Sequence, residues 1–236
     1  MKRIGLLGGM SWESTALYYR LLNEGVASRL GGLHSADCVV VSVDFASIAR
    51  LQAEGRWEEA GDVLAHEACA LRAAGAELLL LCTNTMHKVA AQIQDAVDIP
   101  LLHITDVTAA AAHREGLTRL GLLATGFTME QTFYRDRLES HGLQVMVPDA
   151  LGRGLVHSVI YQELCRGIFT DASRARVRAV VEDLVDQGAE GIILGCTEIE
   201  LLITENDCPV PVLPTTMLHA AAGLDAALSA SADAIA

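Results

Sequence analysis

Two segments of this 236-residue chain repeat one pattern. "RIGLLGGMSWESTALYY" at 3–19 resembles "RLGLLATGFTMEQTFYR" at 119–135, and "GAELLLLCTNT" at 75–85 resembles "GAEGIILGCTEI" at 188–199. Arg3 and Arg119 are 116 positions apart and Cys82 and Cys196 are 114 apart, so two independent segments keep nearly one offset. Each half has an apolar strand ending in a small-residue turn. Much later come Gly-Ala-Glu, a second apolar run and Cys-Thr. A repeat of this length means two supersecondary units of one design, related by a pseudo-twofold axis. Strand-like runs all look alike, which is the plainer explanation, but the matched Cys-Thr pairs weaken it.

Eight runs read as strands: 3–9, 37–45, 76–83, 100–105, 119–125, 143–148, 191–197 and 209–214. Amphipathic stretches separate them. Trp57 to Ala74 is one. Ser173 to Gln187 is another, with Val177, Val180, Val181, Leu184 and Val185 at helical spacing. Strands alternating with helices predict parallel sheets with crossover connections. The expected fold is α/β, with two pseudo-symmetric lobes, each a parallel sheet flanked by helices, and an active site in the cleft between them. The first lobe is expected to span 1–98 with 215–236 returning to it, and the second 99–214.

The formal charge of -13 opposes nucleic-acid binding, which needs basic stripes, and is the wrong sign for an anionic membrane surface. It does not exclude a small anionic substrate, since a local site can differ from the global field. The start, "MKRIGLLGGMSWEST", has too short an apolar run for a signal peptide, and no run is long enough to span a bilayer. A cytoplasmic protein is expected. Its six cysteines (Cys38, Cys69, Cys82, Cys165, Cys196, Cys208) form no CxxC and are expected as free thiols. No His or Cys pair has metal-ligand spacing apart from a weak Cys82–His87 pair, so no metal is expected.

Cys82 and Cys196 stand where their strands should end, and in open parallel sheets ligands bind beyond the carboxyl ends of strands. Thr83-Asn84-Thr85 and Thr197-Glu198 suit a turn opening a helix, whose positive end favours a thiolate and whose N–H groups can hold a carboxylate. Taken singly, each is more often a core cysteine. As a symmetric pair they suit racemisation at a carbon acid: one group removes the α-proton from one face, and a like group protonates the other. The remaining four cysteines lack an equivalent and read as ordinary thiols.

"GLLGGMSWEST", "LCTNTMHK" and "GCTEI" closely resemble the aspartate/glutamate racemase family, which uses no pyridoxal phosphate. The likeness extends to "LLNEG", "GGLHSA", "SVDF" and "TMEQTFYR", and it is strongest for the broad-specificity amino-acid racemase branch. The resemblance implies two α/β lobes, no cofactor, a small amino-acid substrate and a homodimer. It implies that Cys82 and Cys196 are the two acid–base groups. Thr83, Asn84, Thr85 and Thr197 would bind the substrate carboxylate, Met10 would lie against the substrate, and Gln52 would fall in the side-chain pocket. For Gln52 a solvated helix position is the equal alternative. Thr125 and Thr128, in the repeat of the first turn, would add hydrogen bonds.

Strict aspartate racemases carry basic residues in the segments around Gln52 and Cys165, to clamp the distal carboxylate. Both positions are neutral here, although Arg50 and Arg166 are near in sequence. This favours neutral or mixed substrates. Glutamate racemases usually have His after the second Cys-Thr, where this chain has Glu198. Glu198 has three open readings: it orients Cys196, contacts the substrate ammonium, or is an acidic residue in a helix's first turn. His87 reads as a hydrogen-bonded helix histidine. The rival activities are aspartate or glutamate racemisation proper, hydantoin racemisation, maleate isomerisation and arylmalonate decarboxylation, the last of which keeps one thiol only. A rival of another class is a non-catalytic amino-acid-binding protein.

Overall fold

A computed structural model describes residues 1–229 and folds them into two compact units. The first comprises Met1–Ile104 and the chain from His219 onward; the second comprises Thr105–Leu218. All eight expected strands are present, and every pairing is parallel.

In the first unit the elements run β1 (Ile4–Gly8), α1 (Trp12–Leu30), β2 (Cys38–Ser42), α2 (Phe45–Ala53), α3 (Trp57–Ala73), β3 (Leu78–Leu81), a 3-10 turn (Thr85–Val89), α4 (Ala90–Asp95) and β4 (Leu101–Leu102). The second unit has α5 (Ile104–Arg114), β5 (Arg119–Ala124), α6 (Gly126–Glu130), α7 (Thr132–Ser140), β6 (Gln144–Met146), α8 (Ala150–Gln162), a 3-10 turn (Leu164–Arg166), α9 (Asp171–Asp186), β7 (Gly191–Gly195), α10 (Thr197–Leu202), a 3-10 turn (Glu205–Asp207) and β8 (Val212–Pro214). Helix α11 (Thr215–Ser229) begins in the second unit and continues into the first.

The strand orders are β2-β1-β3-β4 and β6-β5-β7-β8, the same permutation in each unit. The four inner strands are almost wholly buried, and the edge strands β2, β4, β6 and β8 are half-exposed. Helices cover both faces, so the inner strands read as continuous apolar runs. On one face of the first sheet Ile4, Leu6, Leu78 and Leu80 pack with Tyr18, Leu22 and Val26 of α1 and Ala220 and Leu224 of α11. On the other face Leu7, Leu79 and Leu81 pack with Ile48 and Leu51 of α2, Leu64, Ala68 and Leu71 of α3, and Ile93 of α4.

The Gly-Ala-Glu repeat has a structural cause. Gly75 and Gly188 end α3 and α9 at φ +91° and +102°, where an L side chain is strained. The next residues reach back in the same way, Ala76 N–H to Leu71 O at 3.1 Å and Ala189 N–H to Leu184 O at 3.0 Å. The glutamates then seat the first strand of each unit. Glu77 Oε2 accepts Arg3 N–H at 2.9 Å; Glu190 Oε2 accepts Thr118 N–H at 2.9 Å and Arg119 N–H at 3.1 Å. These hydrogen bonds push the Glu190 carboxyl down to about 2.

The expected boundary at 98/99 assigned the run 100–105 to the second lobe. In the structure Leu101 and Leu102 pair with Leu79 and Leu80, so this strand completes the first sheet. The boundary falls after Ile104, and the chain rejoins the first unit at His219 within α11.

Candidate active site

In the first unit β1 and β3 end together. Cys82 N–H donates to Leu7 O at 2.9 Å, one step beyond the last paired residues of β1 and β3. Ser14, in the first turn of α1, donates its hydroxyl to Cys82 O at 3.1 Å. Gly9 N–H donates to Thr15 Oγ1 at 2.8 Å, and that hydroxyl donates to Ser11 O at 3.0 Å. The start of α1 is thus fastened to both strand ends.

Cys82 continues the alternation of Leu78 and Leu80 and joins their apolar cluster on the α1/α11 face. It is fully buried, and its Sγ contacts Leu80 O at 3.6 Å. Burial pushes its thiol well up. The expected thiolate at a helix start is therefore not what the free chain holds. Only a 3-10 turn and the short α4 follow Cys82, and desolvation of the charged form outweighs their small dipole.

Thr83, Asn84 and Thr85 are all buried. His87 fastens the turn, with its backbone N–H donating to Asn84 O at 3.1 Å and its ring meeting Thr83 O. Ile104 N–H donates to Nε2 at 3.2 Å, so Nε2 is the acceptor and Nδ1 carries the proton donated to Thr83 O at 2.8 Å. Burial, with His103 and His219 close by, depresses the His87 pKa and keeps the ring neutral. Tyr18 donates to His219 Nδ1 at 2.7 Å, and His219 Nε2 donates to Leu102 O at 2.8 Å.

Met10 and Gln52 lie elsewhere in this unit. Met10 packs with Ile48, Leu51 and Met86 in the cluster on the α2/α3 face, not the one that holds Cys82. Gln52 is buried, not a solvated helix residue; its amide nitrogen donates to Met86 Sδ at 3.0 Å, and its Oε1 has no hydrogen-bond partner. Arg50 is exposed.

In the second unit Cys196 caps α10 from the end of β7. Its Sγ donates to Glu198 Oε2 at 2.9 Å and receives the Glu198 backbone N–H. Both side chains are 7 % exposed. Burial first, then the Glu198 charge and hydrogen bond, hold the Cys196 thiol well above its ordinary value. This too reverses the expected thiolate. Of the open readings of Glu198, two hold in the geometry: the carboxylate contacts Cys196, and the residue stands in the first turn of α10. Thr197 is buried beside it. Thr125 caps α6, accepting Thr128 N–H at 3.4 Å, with the two hydroxyls 3.2 Å apart and both side chains buried.

Two further residues join this group. Tyr161 and Cys165 interact electrostatically with Cys196, and Tyr161 also with Glu198. Cys165, which has no equivalent in the repeat, thus lies within electrostatic reach of Cys196. His157, Tyr161 and Cys165 follow one another at intervals of four, the periodicity of one helix face, and that spacing was available as a signal. Arg166, next in the chain, is exposed. A cleft of about 230 Å³ between α6 and α8, lined by Phe127, Glu130, Arg153 and His157, holds none of the expected site residues. Among the described residues no group of three or more His, Cys, Asp or Glu is placed to hold a metal ion.

Each unit thus ends an inner strand in Cys-Thr, with the thiol buried and its turn fastened by polar contacts. Residues 7–223 match the Asp/Glu/hydantoin racemase family model. The chain belongs to this family. A candidate Asp/Glu racemase of Yersinia pestis is 52% identical, covering 97% of this chain and 100% of that one, with a TM-score of 0.90. An aspartate racemase homologue from Pyrococcus horikoshii is 32% identical over 96% of this chain and 99% of its own, with a TM-score of 0.84. The aspartate racemase of Picrophilus torridus, at 19% identity, 96% and 94% coverage and a TM-score of 0.76, shares the fold. Among the described residues, no helix of this racemase-family chain is long and apolar enough to cross a membrane.

Proposed function

We propose that this protein is a cytoplasmic, cofactor-independent amino-acid racemase of broad or non-aspartate specificity, in which Cys82 and Cys196 act on opposite faces of one α-carbon. The observation that carries this reading is the 2.9 Å contact between Cys196 Sγ and Glu198 Oε2, in a chain that belongs to a racemase family. A protonated thiol cannot take an α-proton. Glu198 supplies the missing acceptor: it takes the Cys196 proton, and the thiolate then removes the α-hydrogen. The electron pair left on carbon spreads into the substrate carboxylate, and Cys82 delivers its own thiol proton to the other face; after product leaves, Glu198 gives its proton to water and the Cys82 thiolate takes one from water, which restores the starting state. The reverse reaction exchanges the roles.

Hydroxyl and amide groups of Thr83, Asn84, Thr85 and Thr197, with Thr125 and Thr128, would stabilise the carboxylate as charge accumulates on it. Their burial supports this, because hydrogen bonds in a dry site are stronger. The cycle requires Cys82, closed off in the free chain, to become accessible to the substrate. Gln52 supports the specificity proposal: its unpaired Oε1 offers an acceptor to a side chain that carries a donor and opposes a second carboxylate. A homodimer is part of the same proposal.

The decisive experiment incubates the protein with single enantiomers of a panel of amino acids in D₂O. Racemisation with deuterium at the α-carbon is the expected result. A panel in which no member exchanges its α-hydrogen sinks the reading. Cys82→Ser and Cys196→Ser should each abolish inversion, while one variant still exchanges the α-hydrogen of one enantiomer without inverting it.

A further inference from the structure

The racemisation scheme leaves one buried acid unused. Glu200 lies on α10, four residues beyond Cys196. Its Oε1 accepts Thr216 N–H, in the first turn of α11, at 2.7 Å. The Thr215 hydroxyl stands between two acceptors, Leu194 O at 2.9 Å and Glu200 Oε1 at 3.4 Å. Leu194 is in β7, two residues before Cys196. The Glu200 carboxyl group therefore joins α10 to the start of α11, and the Thr215 hydroxyl ties that start to β7.

The surroundings show that charge matters here. The first N–H groups of a helix lack intrahelical partners and favour an anion. Thr216 Oγ and Met217 N–H also lean toward the carboxylate and favour its ionised form, although Oε2 makes no hydrogen bond of full geometry. The titratable group that faces it is Tyr134 of α7, itself held by Thr105 and Thr108. Glu198 is the other acid near Cys196 on α10. Burial outweighs the favourable contacts and leaves the Glu200 carboxyl at about 7. At the far end of α10, Arg174 donates to Leu202 O and pairs with Asp207 at 3.1 Å. The last turn thus has its own anchor, and Glu200 ties the helix to the start of α11.

We propose that Glu200 is a positioning residue, whose carboxyl group fastens the Cys196–Thr197–Glu198 turn to the start of α11 and so holds the Cys196–Glu198 contact. As a statement about racemisation it rests on the reading above; as a statement about Cys196 it does not. Burial raises the Glu200 carboxyl more than Thr216 N–H lowers it, so an opening that hydrates it becomes easier as Glu200 ionises, and the fastening loosens with rising pH.

Thiol alkylation tests this without turnover. The full chain, its Glu200→Gln variant and its Glu200→Ala variant are treated with iodoacetamide from pH 6 to 8, and modification of Cys196 is followed by peptide mass spectrometry with exposed Cys69 as internal reference. Dividing the wild-type Cys196 rate by the Gln-variant rate cancels the titration of the thiol itself. The expected quotient rises about tenfold from pH 6 to 8, levelling above 7, as Glu200 ionises in wild type only. Glu200→Ala should raise the Cys196 rate at pH 6 by a similar factor and leave Cys69 unchanged. A quotient flat across this range overturns the proposal, whether or not the Ala variant folds. Absence of α-hydrogen exchange in wild type would remove the racemase reading and leave this result standing.

Discussion

Cys196 and Cys82 occupy equivalent places in the repeat, but their chemical surroundings differ. Cys196 has a carboxylate at 2.9 Å, whereas Cys82 Sγ meets the Leu80 carbonyl at 3.6 Å. The difference has a specific kinetic consequence. Glu198→Gln keeps the size and removes the proton acceptor, and should lower kcat/KM by roughly 10²-fold. Free L- and D-substrates have equal energies, so the loss must be the same in both directions. The asymmetry is visible instead in α-deuterium wash-in: the enantiomer whose proton goes to Cys196 should lose exchange far more than its mirror image. Equal wash-in losses for both hands would detach Glu198 from Cys196 chemistry. Gln52 allows a second test. Replacing the buried amide by a cation, Gln52→Lys, should shift preference from neutral toward acidic amino acids by about tenfold or more, read as the ratio of kcat/KM on the two classes. An unchanged ratio would place Gln52 outside the side-chain pocket.

At the scale of elements, the two Gly-Ala-Glu junctions make one stability prediction twice. Gly75→Ala and Gly188→Ala each put a Cβ on a residue at φ +91° or +102°, and each should cost about 1 kcal/mol in urea unfolding. The added Cβ would also meet an arginine nitrogen at 3.1 and 3.0 Å respectively, the flexible end of Arg3 or Arg119, which can yield. A variant as stable as wild type would show that the cap relaxes. These junctions also show why so much of the fold was legible. The turn glycine, the strand-seating glutamate and the apolar run are local features, and local features repeat visibly. All eight strands appear in the pattern for that reason. The lobe boundary was not legible. Leu101 and Leu102 form only a two-residue strand, and which sheet takes it is decided by pairing with Leu79 and Leu80 from more than twenty residues away. At the site the reading found the thiols but not their state. Alternation from Leu78 through Leu80 already gave the face that Cys82 takes. Its complete burial comes from α1 and α11, which no local pattern near Cys82 encodes.

The two units carry buried titratable groups of opposite effect, so the stability of the molecule depends on pH in opposite senses in its two parts. In the first unit His219 is pushed down to about 4, and His87 lies well below its ordinary value, both by burial. The unfolded chain accepts these protons near 6.5. This stabilisation is therefore complete above that pH and is lost as pH falls toward 4, by about 3 kcal/mol for His219. In the second unit Glu200 is raised from 4.5 to about 7. The folded unit binds that proton more tightly than the unfolded one, so its contribution is complete below 4.5 and is lost as pH rises to 7, again by about 3 kcal/mol. Between pH 4.5 and 6.5 the slopes oppose, and a single melting temperature for the whole chain averages them. Amide hydrogen exchange, normalised for intrinsic rates, separates them. Protection in β1 and β3 should rise across this window while protection in β5 and β7 falls. Glu200→Gln should abolish the fall and leave the rise intact. If β5 and β7 keep the same pH slope in that variant, Glu200 is not the group that sets it.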